Sequence, residues 1–197
     1  MRVADLPVPS TAAARGALEV ATEYCTPALL NHSLRSYVWA AAHAHACHLQ
    51  LDHELLYVAA LLHDIGLVAE FDNHSLAFED AGGHIASVLT AGAGWDITRR
   101  ARARKIIVEH MAPEQPNTDE ESRVLWLATG YEISGAPLPM DTGFRAEVLD
   151  RYPRLDIASE FSTNLRDQAG RKPGCAAAHA VADDILTRIA ANPLDAE

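Results

Sequence analysis

Residues 55–66 read LLYVAALLHDIG. Eight apolar residues run without interruption from Leu55 to Leu62, and a helix that is apolar on every side belongs inside a protein. Asp52 stands where its carboxylate can accept from the unpaired N–H groups of the first turn, and Gly66 stands where the helix should stop. Positions 56, 59, 60 and 63 share one stripe, so His63 continues the buried face and Asp64 follows at once. A buried imidazole beside a buried carboxylate costs several kcal/mol unless the two are paired or bound to a metal. Taken alone, the doublet reads most simply as a structural His–Asp hydrogen bond.

Outward from this stretch the pattern stays helical. Ala and Leu recur at helical spacing between Gly and Pro, without alternating β-branched runs or Asn-Gly turns. Helices are predicted over 11–24, from Pro27 to about Gln50, from Asp52 to near Gly66, over 77–91, and from Asp96 to before Pro113. Further helices are predicted over 119–134, 143–151, 157–169 and 175–191, with connectors at 135–143 and 170–174. The fold class is therefore all-α. With 197 residues, 49% apolar and 22% charged, the chain suits a single domain over 1–197 with a sizeable core.

Sixteen basic against 27 acidic residues give a net charge of −11, which argues against a nucleic-acid or anionic-membrane binder. No apolar run approaches the roughly 18–20 residues of a membrane span, and the N-terminal residues lack the order of a secretory signal. The three cysteines, Cys25, Cys47 and Cys175, form neither a zinc ribbon nor a disulfide framework, so a reducing cytoplasm is expected. The expected partner is a small-molecule substrate, with self-association left open. Five cations on one predicted helix (Arg99, Arg100, Arg102, Arg104, Lys105) read as a solvated face answering Asp119, Glu120 and Glu121.

Histidine is the unusual count, at ten. NHSLRS places His32 upstream of the doublet, and SLAFEDAGGHIA, IIVEHM and LATGYEISG follow it. This order resembles the HD-domain superfamily of metal-dependent hydrolases over roughly residues 28–135, with 136–197 as a C-terminal helical extension. The texts HSLRSY, LLYVAALLHDIG and FEDAGG are similar to its cyanamide hydratase-like branch.

The resemblance implies an HD-type helical bundle and a divalent metal held by His32, His63, Asp64 and, at the fourth place, Glu132, where the family usually has Asp. Two imidazoles and two carboxylates suit zinc first, with iron, manganese or nickel also compatible. Two-metal members carry a His-Glu pair where this chain has Phe78-Glu79, and a further His where it has His110. Phenylalanine cannot ligate, which favours a mononuclear site. His84 lies about 600° round the helix from Phe78 and should point elsewhere, although a shifted alignment through His84 and His110 would supply a second metal. Leu67 stands where phosphohydrolase members carry Lys or Glu, which points to a small substrate of low charge.

The implied chemistry is hydration or hydrolysis of a small nitrogen-containing compound, nitrile- or cyanamide-like, by metal-activated water. His110 is the first candidate for proton transfer and Glu79 the second. Arg35 reads as support for a ligand carboxylate, and His74 as a residue near the pocket mouth. His43, 11 residues from His32, lies about 16 Å along the helix, too far to share the metal. The alternatives are a phosphohydrolase, whose cationic wall Arg35, Lys105 or Arg145 would supply, a di-iron oxygenase, and a non-catalytic ligand-binding module.

Overall fold

The computed structural model describes residues 1–117 and 119–196. Among them are ten α-helices and no strand: α1 (Ala12–Tyr24), α2 (Pro27–Ala46), α3 (His53–Leu62), α4 (Phe78–Gly92), α5 (Ile97–Glu109), α6 (Glu120–Ser134), α7 (Thr142–Arg151), α8 (Ile157–Arg171), α9 (Ala176–Ala182) and α10 (Ile185–Ala190). The all-α expectation holds. No described helix is long and apolar enough to cross a membrane.

Most helices start where a short polar side chain meets the unpaired N–H groups of the first turn. Thr11, Thr26, Asp52, Asp96, Asp119 and Asp141 each accept a backbone hydrogen bond at the N-cap of α1, α2, α3, α5, α6 and α7. Helix ends depart more from expectation. α2 ends at Ala46 rather than near Gln50, because His48 adopts φ 57°. The amides of His48 and Leu49 then donate back to the carbonyls of His45 and Ala44 in a Schellman closure. Glycine usually fills that left-handed position, and histidine there gives no sequence signal. The last expected helix is divided in two at Asp184, which has φ 63°.

α3 is the central rod. Every residue from Leu55 to Leu62 is buried, and α1, α2, α4, α5 and α6 all pack on it. It stops at Leu62, earlier than Gly66, and the chain passes through His63 and Asp64 into a 3-10 turn, Ile65–Leu67. A second apolar cluster lies on the other side of that turn. Here Ile157, Phe161 and Leu165 of α8, with Ala177 and Ile189, meet Ala28, Leu29, Phe78 and Ile133. The doublet sits between the two clusters.

Two glycines let α4 press against the turn. A Cβ on Gly66 would lie 2.1 Å from the carbonyl oxygen of Phe78, and one on Gly82 would lie 2.8 Å from that of Leu62. Neither obstacle is a flexible side chain, so backbone must move. Gly66→Ala is expected to destabilise by about 1–3 kcal/mol, in the range of overpacked cores, and to shift Asp64 relative to α4. A urea titration checks the first effect and metal retention the second.

Among the described residues, the cations of α5 meet the acidic stretch expected from the sequence only through Arg102, while Arg99, Arg104 and Lys105 pair with other carboxylates. Arg99 bridges to Asp52 at 2.8 Å and Glu54 at 2.7 Å, and Arg102 to Glu121 at 2.7 Å.

Candidate metal centre

Three helix segments deliver the central groups. His32 stands in the second turn of α2, fixed in depth by the Thr26 cap and by Leu29 in the apolar cluster. His63 is the C-cap of α3 with Asp64 next to it, and His110 is the C-cap of α5. His32, His63 and Asp64 are 0%, 1% and 0% exposed. Nε2 of His32 lies 3.1 Å from Nε2 of His63, and each lies 3.1 Å from Oδ2 of Asp64. Nε2 of His110 stands 3.5 Å from Oδ1 of the same carboxylate.

The end of a helix decides the imidazole tautomers. Its last carbonyls have no intrahelical partner. Nδ1–H of His63 donates to the carbonyl of Ala60 at 2.7 Å, and Nδ1–H of His110 donates to that of Ile107. A carbonyl only accepts, so the proton sits on Nδ1 and Nε2 presents a lone pair inward. Burial lowers the pKa of His63 and keeps it neutral, with His110 and His32 acting the same way against Asp64. Burial also opposes charge on Asp64, but attraction to His63, His110 and His32 outweighs it and holds the carboxyl well below its usual range. At His32 burial lowers the pKa, but Asp64 and Glu132 outweigh it and raise it.

Electron-rich atoms thus converge in a space without water access, and neither Asp64 oxygen receives a well-directed hydrogen bond. Such an arrangement calls for a cation between them. The triangle also has the right size. Ligands about 2.1 Å from an ion stand about 3.0 Å apart at right angles and about 3.4 Å apart at tetrahedral angles. Edges of 3.1 Å fall in that interval. Among the described residues, His32, His63 and Asp64 are the one group of three or more potential ligands whose donor atoms all lie within 4.8 Å of one another.

Glu132 departs from its expected role. Its carboxylate is completely buried but lies behind His32, 3.6 Å from Nδ1, on the opposite side of the ring from Asp64. Oε1 accepts from Arg35 Nε at 2.9 Å, Arg35 Nη2 at 2.5 Å and Arg154 Nη1 at 2.7 Å, and Oε2 accepts from Trp39 Nε1 at 2.9 Å. Two guanidiniums and an indole occupy the oxygens a metal would need. Arg35 supports a carboxylate as anticipated, but that carboxylate stands outside the donor triangle.

Burial opposes ionisation of Glu132, yet Arg35, His32 and Arg154 outweigh it and hold the group far below its ordinary value of 4.5. A depressed carboxylate pKa stabilises the fold above that ordinary value, and the contribution is lost as pH falls below it. Stability measured in urea should therefore drop between about pH 5 and about pH 3, and Glu132→Gln should flatten that slope. Equal slopes in both proteins would contradict the assignment.

The remaining candidates divide cleanly. Glu79, in the first turn of α4, is 6% exposed, and burial raises its pKa against the pull of His110. Its Oε2 has no hydrogen-bond partner. Phe78 packs on His110 with ring centroids 5.8 Å apart, and Phe161 lies 5.8 Å from His32. His84 and His74 are exposed, so neither joins the buried group, and the second-metal route through His84 fails. Helical rotation turns His84 outward, and His74 lines a surface recess with Arg171, Lys172 and Cys175. Arg154, Trp39 and Phe161 are not foreseen from sequence: Arg154 and Phe161 reach the centre from beyond the motif core, and Trp39, two turns along α2 from His32, reads there as one more apolar core residue.

A family model of the HD domain matches residues 29–131, just over half of the chain. The chain belongs to the HD domain family. The match takes in His32, His63, Asp64, Glu79 and His110 and ends one residue before Glu132. Two proteins of Saccharomyces cerevisiae, cyanamide hydratase DDI2 and cyanamide hydratase DDI3, are each 28% identical over 180 residues. Those alignments cover 86% of this chain and 78% of the yeast proteins, so the likeness runs beyond the HD core into the C-terminal helices. This HD domain is of the cyanamide hydratase-like kind.

Proposed function

We propose that this protein is a mononuclear, metal-dependent hydratase or hydrolase acting on a small, uncharged nitrogen compound of the nitrile or cyanamide class. The convergence of His32, His63 and Asp64 on one point, fully buried and with the lone pair of His63 turned inward, carries the metal assignment. Bound there, a divalent ion supplies Lewis acidity and water of lowered pKa. His32, His63 and Asp64 hold it. His110 presents an unpartnered Nε2 toward the Asp64 carboxylate, positioned to accept a proton at that atom. Glu79, whose pKa burial raises, is suited to return a proton to a developing nitrogen anion. Phe78 and Phe161 shield the centre from bulk water.

The side chains around the triad support this substrate class. Phe78, Phe161 and partly buried Leu67 and Met111 belong to one apolar cluster beside the triad. Of the cations that a phosphohydrolase would need, Arg35 is committed to Glu132 and to the carbonyls of Tyr152 and Pro153, and Lys105 pairs with Glu109 at 3.8 Å. The yeast relatives are named for cyanamide hydration, which is chemistry of this small, neutral kind.

Elemental analysis of purified protein, followed by turnover assays on cyanamide, small nitriles and a panel of phosphate esters, tests the proposal. A single divalent ion per chain and chelator-sensitive hydration are expected. Protein without stoichiometric metal, or turnover confined to phosphate esters, would overturn it.

A further inference from the structure

His32 differs from His63 and His110 in how its tautomer is set. The two C-cap histidines use free carbonyls of their own helices. His32 lies inside α2, where the carbonyls behind it are taken by the helix ladder. Its Nδ1 is buried and makes no direct hydrogen bond, and it stands 3.6 Å from Glu132 Oε1, a few tenths of an ångström beyond normal N–H···O range. The placing of that carboxylate therefore decides which nitrogen of His32 faces the centre with a lone pair.

What places Glu132 lies largely outside the part of the chain that matches the HD family. Nη1 of Arg154 donates to both Oε1 and the backbone carbonyl of Glu132, at 2.7 and 2.8 Å. Nδ2 of Asn192 donates to the same carbonyl at 2.9 Å. Nε of Arg154 donates in turn to Asp195 at 2.5 Å. The carbonyls of Tyr152 and Pro153 accept from Arg35 at 2.8 and 3.0 Å, fixing the second guanidinium on Glu132. Two carboxylates and two guanidiniums thus form a charge-balanced cluster behind the ligand ring.

We infer that the C-terminal segment is a working part of the metal centre. Arg154, Asn192 and Asp195 hold the Glu132 carboxylate 3.6 Å behind Nδ1 of His32, where its negative charge favours the tautomer with the proton on Nδ1 and keeps Nε2 free to ligate. They are positioning residues, acting on the ion only through Glu132 and His32. This inference rests on the metal reading above and extends it to residues beyond the HD core. Partners of this kind, one step behind a ligating histidine, typically change metal affinity by about 10–100-fold.

The test uses the full chain and zinc as the probe ion. Arg154→Met should weaken zinc binding about tenfold or more in chelator competition. Asp195→Asn, at a side chain 35% exposed, should fold and weaken it by about threefold to tenfold. In metal-free protein, nitrogen-15 NMR of the histidine rings should show Nδ1 of His32 protonated in the wild type and a tautomer mixture in both variants. A merely structural role would lower the melting temperature of the variants while leaving zinc affinity within about twofold and the His32 tautomer unchanged, and that result overturns the inference alone. If Arg154→Met does not fold, Asp195→Asn decides by the same two readouts. Wild-type protein that fails to bind zinc, iron, manganese or nickel overturns the metal reading and this inference with it.

Discussion

Asp64→Asn is expected to strip the protein of its metal and to lower turnover by at least about a thousandfold, with the helical fold kept. Changes one step removed from the ligands already cost about 10–100-fold in affinity, so loss of a charged ligand should exceed that range. The amide preserves the shape of a group that is completely buried, so packing is undisturbed. What it removes is the negative charge at the corner of the triangle, where Oδ2 lies 3.1 Å from both imidazole nitrogens. Two neutral imidazoles cannot by themselves hold a dication out of water. Elemental analysis, circular dichroism and turnover measured on the same preparation check the three parts of the expectation. If the Asp64→Asn variant purifies with a full complement of metal, the carboxylate is not a ligand.

Glu132→Leu should act in the opposite order, on stability before metal. Arg35 is 0% and Arg154 7% exposed, and the variant leaves both guanidiniums facing an apolar side chain. Breaking a buried ion pair by removing one partner costs about 3–5 kcal/mol. Against a total stability of about 5–15 kcal/mol, the denaturation midpoint should fall by about a third. The loss should appear in metal-free protein, since the arginines need the carboxylate whether or not an ion is bound. A loss below about 1 kcal/mol would mean that solvent or Asp195 takes over the pairing. Together the two variants separate the carboxylate in front of His32 from the one behind it.

Much of the architecture was legible from residue types in order. The apolar octet before His63 places α3 at the centre because no face of such a helix tolerates water. Asp52 and Asp96 mark helix starts in the sequence, because each answers a local shortage of acceptors within three residues. The ends of α2 and of the last helix were hidden, since His48 and Asp184 take left-handed conformations that glycine normally signals. The triad was also readable, because His63 and Asp64 are neighbours and His32 stands in a motif at a set distance from them.

The role of Glu132 was not readable in this way. The resemblance to the HD superfamily made it a fourth ligand, and a carboxylate at that place has the chemistry for either task. The choice belongs to Arg35 and Arg154, 97 and 22 positions away, which reach it first and fill its oxygens. Local order along the chain is enough to say where helices begin and which groups are buried, because hydrophobicity and capping act over a few residues. Which buried charge faces which depends on electrostatics across a folded interior, where partners brought together from distant helices compete for the same lone pairs. That competition exists only once α2, α6 and the C-terminal segment have packed.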